Sequence, residues 1–158
     1  VYGGFNTSLS WKGFDLSAIF AYSIGGYIYN RDVTMILHNG SLEGRDWSTE
    51  ILRRWTPDNR YTDVPALSTT SNNWNSASTR FLQNNSYMRL KNLTLSYNLP
   101  KQWISKLSLS SVQVYVQGDN LFTIHRNQGL DPEQGITGIT YYRYPAMRTI
   151  SGGINLSF

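Results

Sequence analysis

The side chains of this sequence that are best suited to hold a ligand are aromatic and lie between the segments predicted as strands. Aromatic residues make up 14% of the 158-residue chain, nearly as large a share as the charged residues at 15%. Flat rings with a polar edge stack readily on other rings and flat faces. Six such rings are candidate ligand contacts, with loop packing as the alternative for each: Trp47, Trp55, Trp74, Tyr141, Tyr142 and Tyr144.

The polar residues that could support catalysis or metal binding are scattered. His38 and His125 lie far apart in the sequence, and neither has the neighbouring His, Asp or Glu that a metal site requires. Asp131 and Glu133 flank a proline in a turn-forming stretch that lacks the ligand spacing of a calcium-binding loop. The chain contains no cysteine, so thiolate metal sites are excluded. We therefore predict that the chain is not an enzyme and binds no cofactor or metal.

The charge pattern argues against nucleic acid as a partner. The 14 Lys and Arg residues exceed the 10 Asp and Glu residues and give a net charge of +4. The basic residues are nevertheless dispersed, with only Arg53 and Arg54 adjacent, so the basic patch of a nucleic-acid-binding protein is missing. A low content of charged residues and a high content of amphipathic aromatic rings instead suit a surface that contacts a less polar environment than water.

Five segments alternate between apolar and polar residues with a period of two, which predicts β-strands. One face of each segment is aliphatic, while the other carries Asn, Ser, Thr and Gln with little formal charge. A polar face without charge is typical of the lumen of a membrane-spanning barrel, whose outer face is apolar. The strands are expected at about residues 3–11, 14–24, 87–99, 111–122 and 148–158. The residues predicted to face lipid are Val112, Val114, Val116, Leu93, Leu95 and Ile154.

The connections between these strands alternate in length. A turn at Lys12 and Gly13 and the short stretch 100–110 alternate with the long segments 25–86 and 123–146. In an antiparallel arrangement, short and long connections then lie at opposite ends of the strands. We therefore predict an all-β fold, a transmembrane antiparallel β-barrel with extracellular loops at about 25–86 and 123–146. The alternative, a soluble carbohydrate-binding β-sandwich, fits less well because its turns recur about every 8–12 residues.

Four motifs, in order along the chain, resemble a known family. They are RRWTPDNRYTDVPAL (Arg53 to Leu67), NNSYMRLKNLTLSYNLP (Asn84 to Pro100), VQVYVQGDNLFTIHRNQGLDPE (Val112 to Glu133) and YPAMRTISGGINLSF (Tyr144 to Phe158). The last three are similar to the C-terminal end of SusC/RagA-type TonB-dependent outer-membrane transporters. The first is similar to a long-loop signature of the same family.

The resemblance implies that residues 1–158 are the C-terminal segment of such a transporter and supply the last five strands of a plugged barrel of about 22 strands. It implies import of oligosaccharides or peptides across the outer membrane of a Gram-negative cell. The implied partners are the rest of the barrel, the N-terminal plug, outer-membrane lipid and a SusD-type surface lipoprotein that acts as a lid. TonB would act through the N-terminal part of the transporter. The loop aromatics are then candidate substrate or lid contacts, and the alternative function is that of a passive structural or adhesive barrel.

The final predicted strand also resembles an assembly signal. Ser151, Gly153, Leu156 and Phe158 are similar to the C-terminal β-signal by which the barrel-assembly machinery recognises outer-membrane proteins. The terminal aromatic is the most characteristic position of that signal. Phe158 also suits the periplasmic girdle of aromatic residues, and the two roles are compatible.

Overall fold

A computed structural model describes residues 1–38, 42–68, 70, 76–105, 109–127, 129, 131–133 and 137–158 of the chain. The chain forms two compact units. The sheet unit comprises Val1–Gly26, Asn85–Pro132 and Tyr144–Phe158, and the loop unit comprises Tyr27–Asn84 and Glu133–Arg143. None of the helices in the described ranges has the length and hydropathy of a membrane-spanning segment.

The strands belong to two sheets. Along the described chain they are β1 (Tyr2–Trp11), β2 (Phe14–Ser23), β3 (Tyr27–Asn30), β4 (Leu82–Asn84), β5 (Tyr87–Asn98), β6 (Ser111–His125), β7 (Ile139–Thr140) and β8 (Thr149–Ser157). They are accompanied by two short helices, α1 (Arg31–Ile36) and α2 (Lys101–Ile104), and by 3₁₀ turns at Thr49–Arg53 and Thr79–Phe81. The larger sheet has the order β1-β2-β5-β6-β8, and the smaller one has the order β4-β3-β7.

The five strands of the larger sheet lie where alternation with a period of two predicts strands. All four neighbouring pairs are antiparallel. β2 ends at Ser23 and β5 ends at Asn98, each one residue before its expected end. β6 continues beyond its expected end to His125. The alternation locates these strands because successive side chains of a strand point to opposite faces of the sheet.

A tight turn at Lys12 and Gly13 joins β1 to β2. Both residues have positive φ angles, 48° and 88°, as the central residues of a type I′ turn require. Trp11 consequently pairs with Phe14, and the register continues without a shift to the other end of the hairpin. The sequence-based prediction of a two-residue turn at this point is thus correct.

A β-bulge interrupts the larger sheet at Lys91. The register of β5 shifts across this residue against both β2 and β6, and on β6 Asn120 has a positive φ of 52°. Leu93 pairs within the regular register, whereas Leu90 pairs with Phe20 beyond the shift. Because the bulge adds one residue, these two leucines of opposite parity lie on the same apolar face.

The loop unit has a sheet and a small core of its own. β3 pairs antiparallel with β4, with Tyr27 opposite Asn84, and parallel with β7. Ile28, Val64 and Phe81 are almost fully buried. The segments expected to be loops, about 25–86 and 123–146, therefore contain ordered elements that the period-two pattern did not identify.

Candidate functional site

The apolar face of the larger sheet is exposed at most of the aliphatic residues predicted to face lipid. Leu95, Val114, Val116 and Ile154 keep 42%, 42%, 48% and 62% of their surface exposed. They lie next to one another in register across β5, β6 and β8. A contiguous exposed apolar patch indicates contact with a membrane or another protein.

Two other residues of that predicted set are more covered. Leu93 is half-buried. Val112 is buried, at 9% exposure, and its carbonyl oxygen accepts a hydrogen bond from the backbone N–H of Leu99 at 2.9 Å. α2 contacts β6 and buries Ile104. Val112 therefore has little surface left to contact lipid.

The opposite face of the sheet carries hydrogen-bonded amides and hydroxyls. The Nε2 of Gln113 donates to the Oγ of Ser96 at 3.3 Å, and the Oε1 of Gln113 accepts from the Nδ2 of Asn155 at 3.2 Å. Asp119 accepts from Asn92 at 2.8 Å and from the Nε2 of Gln117 at 3.1 Å. These contacts satisfy polar groups across three strands without ion pairs, so the face suits contact with water or with a polar ligand.

One buried ion pair lies on this polar face. The guanidinium of Arg89 pairs with the carboxylate of Asp131, and the two side chains are only 3% and 8% exposed. Arg89 also donates from Nε to Thr123 at 2.9 Å, and Asp131 accepts from the backbone N–H of Ala146 at 2.6 Å. Asp131 therefore joins the connection between β6 and β8 to β5, and its bond to Ala146 holds two parts of that connection together.

The residues that resemble an assembly signal lie on both faces of the last strand. Gly153 pairs with Tyr115 and Leu156 pairs with Val112. A Cβ atom at Gly153 would lie 2.7 Å from the hydroxyl oxygen of Tyr115, so a larger residue there would have to displace the tyrosine ring that covers the glycine. Ser151 is exposed. Among the described residues, Leu156 keeps 51% of its surface exposed and Phe158 keeps 91%.

Within the loop unit, the structure brings together two of the predicted ligand contacts. The ring centroids of Tyr141 and Tyr142 lie 4.4 Å apart and the rings are tilted by 53°. The guanidinium of Arg31, in the first turn of α1, lies 4.8 Å from the centroid of the Tyr141 ring. The two tyrosines remain 45% and 58% exposed. They form an aromatic surface that is open to solvent and contacts the guanidinium of Arg31.

Tyr142 adopts a backbone conformation that is unusual for a bulky residue. Its φ is 47°, in the left-handed region, where non-glycine residues are strained by about 1–3 kcal/mol. Two charged residues hold it: its backbone N–H donates to Oδ1 of Asp32 at 3.0 Å, and its hydroxyl accepts from Nη1 of Arg45 at 2.8 Å. Such strained residues cluster at binding sites, where surrounding contacts fix them.

A concavity of about 390 Å³ adjoins Arg31. Its volume is within the size range of small-ligand sites. Its lining residues are Tyr29, Arg31, Thr34, Met35, Ala77 and Ile139. Asn30 caps α1 by accepting from the backbone N–H of Val33 at 3.0 Å, which fixes Arg31 at the start of the helix. Within the described residues, the guanidinium N–H groups of Arg31 have no hydrogen-bond acceptor. The arginine thus borders both the concavity and the tyrosine pair.

The remaining aromatic candidates have different surroundings. Trp47 donates from its indole N–H to Nδ1 of His38 at 3.1 Å, a contact that supports loop packing for this ring. Trp55 is 44% exposed and Tyr144 is 97% exposed, the latter in the sheet unit. Trp74 lies outside the described residues.

The histidines have local structural partners. His38 is 1% exposed, and its Nδ1 accepts the hydrogen bond from the indole N–H of Trp47. The Nδ1 of His125 lies 2.9 Å from the backbone carbonyl oxygen of Asn127. The part of the chain that the structure describes holds no cluster of three or more His, Cys, Asp or Glu residues suited to a metal ion.

Comparison with known proteins identifies the family. TonB-dependent receptor P3 of Formosa agariphila is 34% identical over 98% of this chain, and SusC of Bacteroides thetaiotaomicron, also a TonB-dependent receptor, is 28% identical over 98%. A solved structure of the RagAB peptide transporter superposes on 99% of the chain with a TM-score of 0.87 at 36% identity. The chain belongs to the SusC/RagA family of TonB-dependent receptors. The family predicted from the four sequence motifs is therefore confirmed, and so is the all-β fold class.

The chain spans 15–16% of the length of the curated relatives and 17% of the RagAB chain. The RagAB peptide importer in its open-open state superposes equally well, with a TM-score of 0.87. No protein-family model matches the chain. The relatives are named receptors, transporters or importers, which agrees with the prediction that the chain is not an enzyme.

Sequence reasoning did not identify the residues that hold Tyr141 and Tyr142 in place. Asp32 and Arg45 lie far from Tyr142 in sequence and reach it only through the loop unit. The adjacency of Tyr141 and Tyr142 was the one available signal. The ion pair of Arg89 and Asp131 was missed as well, because neither residue interrupts the alternation that predicts the strands.

Proposed function

We propose that the receptor of which this chain is a segment imports nutrients across the outer membrane of a Gram-negative cell, with energy supplied through TonB. The observation that carries the proposal is the two-faced sheet of a SusC/RagA family member. Its exposed aliphatic face suits lipid, and its opposite face of hydrogen-bonded polar side chains suits an aqueous lumen. The nutrient is an oligosaccharide or a peptide, and the protein acts as a transporter rather than a catalyst.

The architecture proposed for the whole receptor is a barrel of about 22 strands with a plugged lumen. β1, β2, β5, β6 and β8 supply five of its strands, and the open edges of β1 and β8 pair with the rest of the barrel. Ser151, Gly153, Leu156 and Phe158 serve as the assembly signal. The segments 25–86 and 123–146 face the cell exterior, where a SusD-type lipoprotein acts as a lid. The relatives support this assembly, since one of them is named the RagAB peptide transporter.

Energised import is tested in cells that lack the receptor gene. Deletion of the gene is expected to abolish uptake of a nutrient that the wild-type strain takes up, and the full-length gene is expected to restore it. Uptake through the restored receptor should fall to the level of the deletion strain when a protonophore dissipates the proton-motive force or when TonB is removed. Uptake that continues without TonB would instead support a passive barrel.

The orientation of the chain is tested by inserting cleavage sites for a site-specific protease. A site placed beside Tyr61, which is fully exposed in the loop unit, is expected to be cleaved in intact cells. A matched site beside Lys101, at the start of α2, should be cleaved only after the outer membrane is made permeable. The opposite pattern would show that the short connections face the exterior.

A further inference from the structure

The loop unit contains an ordered surface whose chemistry points to a particular ligand. It consists of the exposed rings of Tyr141 and Tyr142, the guanidinium of Arg31 and the concavity that Arg31 borders. We refer to these residues and the concavity together as the tyrosine site.

The charges around the tyrosine site favour an anionic group. Arg31 and Arg45 are both exposed and contribute two positive charges, against one negative charge from Asp32. Arg45 and Asp32 are engaged with Tyr142. The N–H groups of Arg31 have no acceptor among the described residues. A guanidinium stacked on an aromatic ring, with its N–H groups unused, is suited to bidentate binding of a carboxylate or sulfate.

The shape of the tyrosine site favours a sugar ring over a protein surface or an extended peptide. Stable protein interfaces bury about 800 Å² on each partner, far more than two half-exposed rings offer. A peptide that adds as a strand needs a long sheet edge, whereas the edge strands of the smaller sheet, β4 and β7, have only three and two residues. Two tilted rings beside an open concavity can hold one or two sugar units.

We infer that the tyrosine site binds an acidic oligosaccharide, with Tyr142 stacked on a sugar ring and Arg31 paired with its carboxylate or sulfate. The inference rests on the proposed function, because it takes the bound saccharide to be the imported nutrient. The strained conformation of Tyr142 is then a means of presenting its ring before the ligand arrives. Asp32 and Arg45 are positioning residues, since they hold the tyrosine and leave Arg31 to contact the anion.

The test measures binding to the full-length receptor in detergent by calorimetry. The acidic probes are tri-galacturonate, tri-mannuronate and a chondroitin sulfate tetrasaccharide, and the other probes are maltotriose and tri-glutamate. The substitution Tyr142→Gly removes the ring while allowing the positive φ, so the backbone is retained. Arg31→Met removes the charge, and Arg31→Lys keeps the charge without the planar fork. Tyr61→Gly is the matched control, because Tyr61 is fully exposed in the same unit.

We expect the wild-type receptor to bind at least one acidic saccharide more tightly than maltotriose or tri-glutamate. Arg31→Met should weaken that binding about tenfold or more, Arg31→Lys should weaken it less, and neither should change binding of maltotriose. Tyr142→Gly should weaken binding of every saccharide that binds, and Tyr61→Gly should weaken none. The inference is overturned if no acidic saccharide binds, if tri-glutamate binds best, or if Tyr142→Gly and Arg31→Met both bind like the wild type.

A parallel uptake assay separates this inference from the proposed function. A receptor that imports a nutrient with TonB, but whose Tyr142→Gly and Arg31→Met variants bind saccharides like the wild type, would retain the proposed function and refute the tyrosine site. A wild-type receptor that imports nothing would refute the proposed function itself.

Discussion

The substitution Val116→Arg is expected to destabilise the full-length receptor in a bilayer by about 2–4 kcal/mol. Val116 is 48% exposed on the apolar face and pairs with Leu95 on β5 and Gly152 on β8. Its neighbour along that face, Val114, pairs with Tyr97, an aromatic residue near the short turns. Val116 thus lies one residue pair further from the short turns than this aromatic residue. A guanidinium at that depth would lose its hydration in hydrocarbon. Reversible folding of the receptor into phospholipid vesicles measures the change in free energy.

The matched control is Gln117→Arg, one residue further along the same strand. Gln117 lies on the polar face and donates to the carboxylate of Asp119. An arginine there keeps its hydration and gains an acidic neighbour, so the change should be within about 1 kcal/mol. Equal costs for the two variants would mean that neither face contacts lipid. A larger cost for Gln117→Arg would mean that the faces are reversed.

The second large effect is expected for Asp131→Ala, which removes one partner of the buried ion pair. Breaking such a pair costs about 3–5 kcal/mol because the remaining charge is left uncompensated away from water. Arg89 is only 3% exposed, so the chain can hydrate it only by releasing the connection between β6 and β8. Trypsin cleavage at Arg126 or Arg143 in the full-length receptor should therefore become at least about a hundredfold faster, because a factor of ten corresponds to about 1.4 kcal/mol.

A double substitution distinguishes the unpaired charge from the loss of contacts at Asp131. In Arg89→Met with Asp131→Leu, apolar side chains replace both charges, and such replacements of buried pairs are often neutral. Cleavage of this variant should return most of the way to the wild-type rate. Slow cleavage of Asp131→Ala alone would show that the pair does not hold the connection. Fast cleavage of the double variant would assign the effect to the hydrogen bond between Asp131 and the backbone of Ala146.

The larger sheet could be predicted from sequence because its physical cause is local. A strand with one aliphatic and one polar face must alternate residue by residue, and a turn such as Lys12 and Gly13 fixes the register of the next strand. The bulge at Lys91 has no comparable signature, because it depends on how β5 fits two neighbours at once. Alternation at a strict period of two would place Leu90 on the polar face, and the bulge returns it to the apolar one.

The loop unit and the tyrosine site were less predictable because their contacts join residues distant in sequence. Tyr27 and Tyr29 lie in the segment expected to be a loop at about 25–86, but they belong to β3 of the smaller sheet. For Trp47, the bond to His38 supports the alternative of loop packing. Tyr141 and Tyr142 were identified as candidates from residue type alone. Their arrangement depends on Asp32 and Arg45, which lie far away in the sequence. Neither the amino-acid composition nor the alternation of apolar and polar residues indicates such contacts.

The pairing of Tyr27 with Asn84 affects the folding kinetics of the larger sheet. β2 and β5 are separated by roughly sixty residues, and closing a flexible loop of that length costs about 2 kcal/mol more than closing a short turn. The pairing of β3 with β4 brings the two ends of the insertion together, and Asn85 then donates to the carbonyl oxygen of Gly26 at 3.1 Å. If the loop unit forms first, the entropy of this long closure has already been lost. β2 and β5 can then pair progressively from Ser23 and Tyr87, as the two strands of a hairpin do. The rate of this pairing step becomes nearly independent of the length of the insertion.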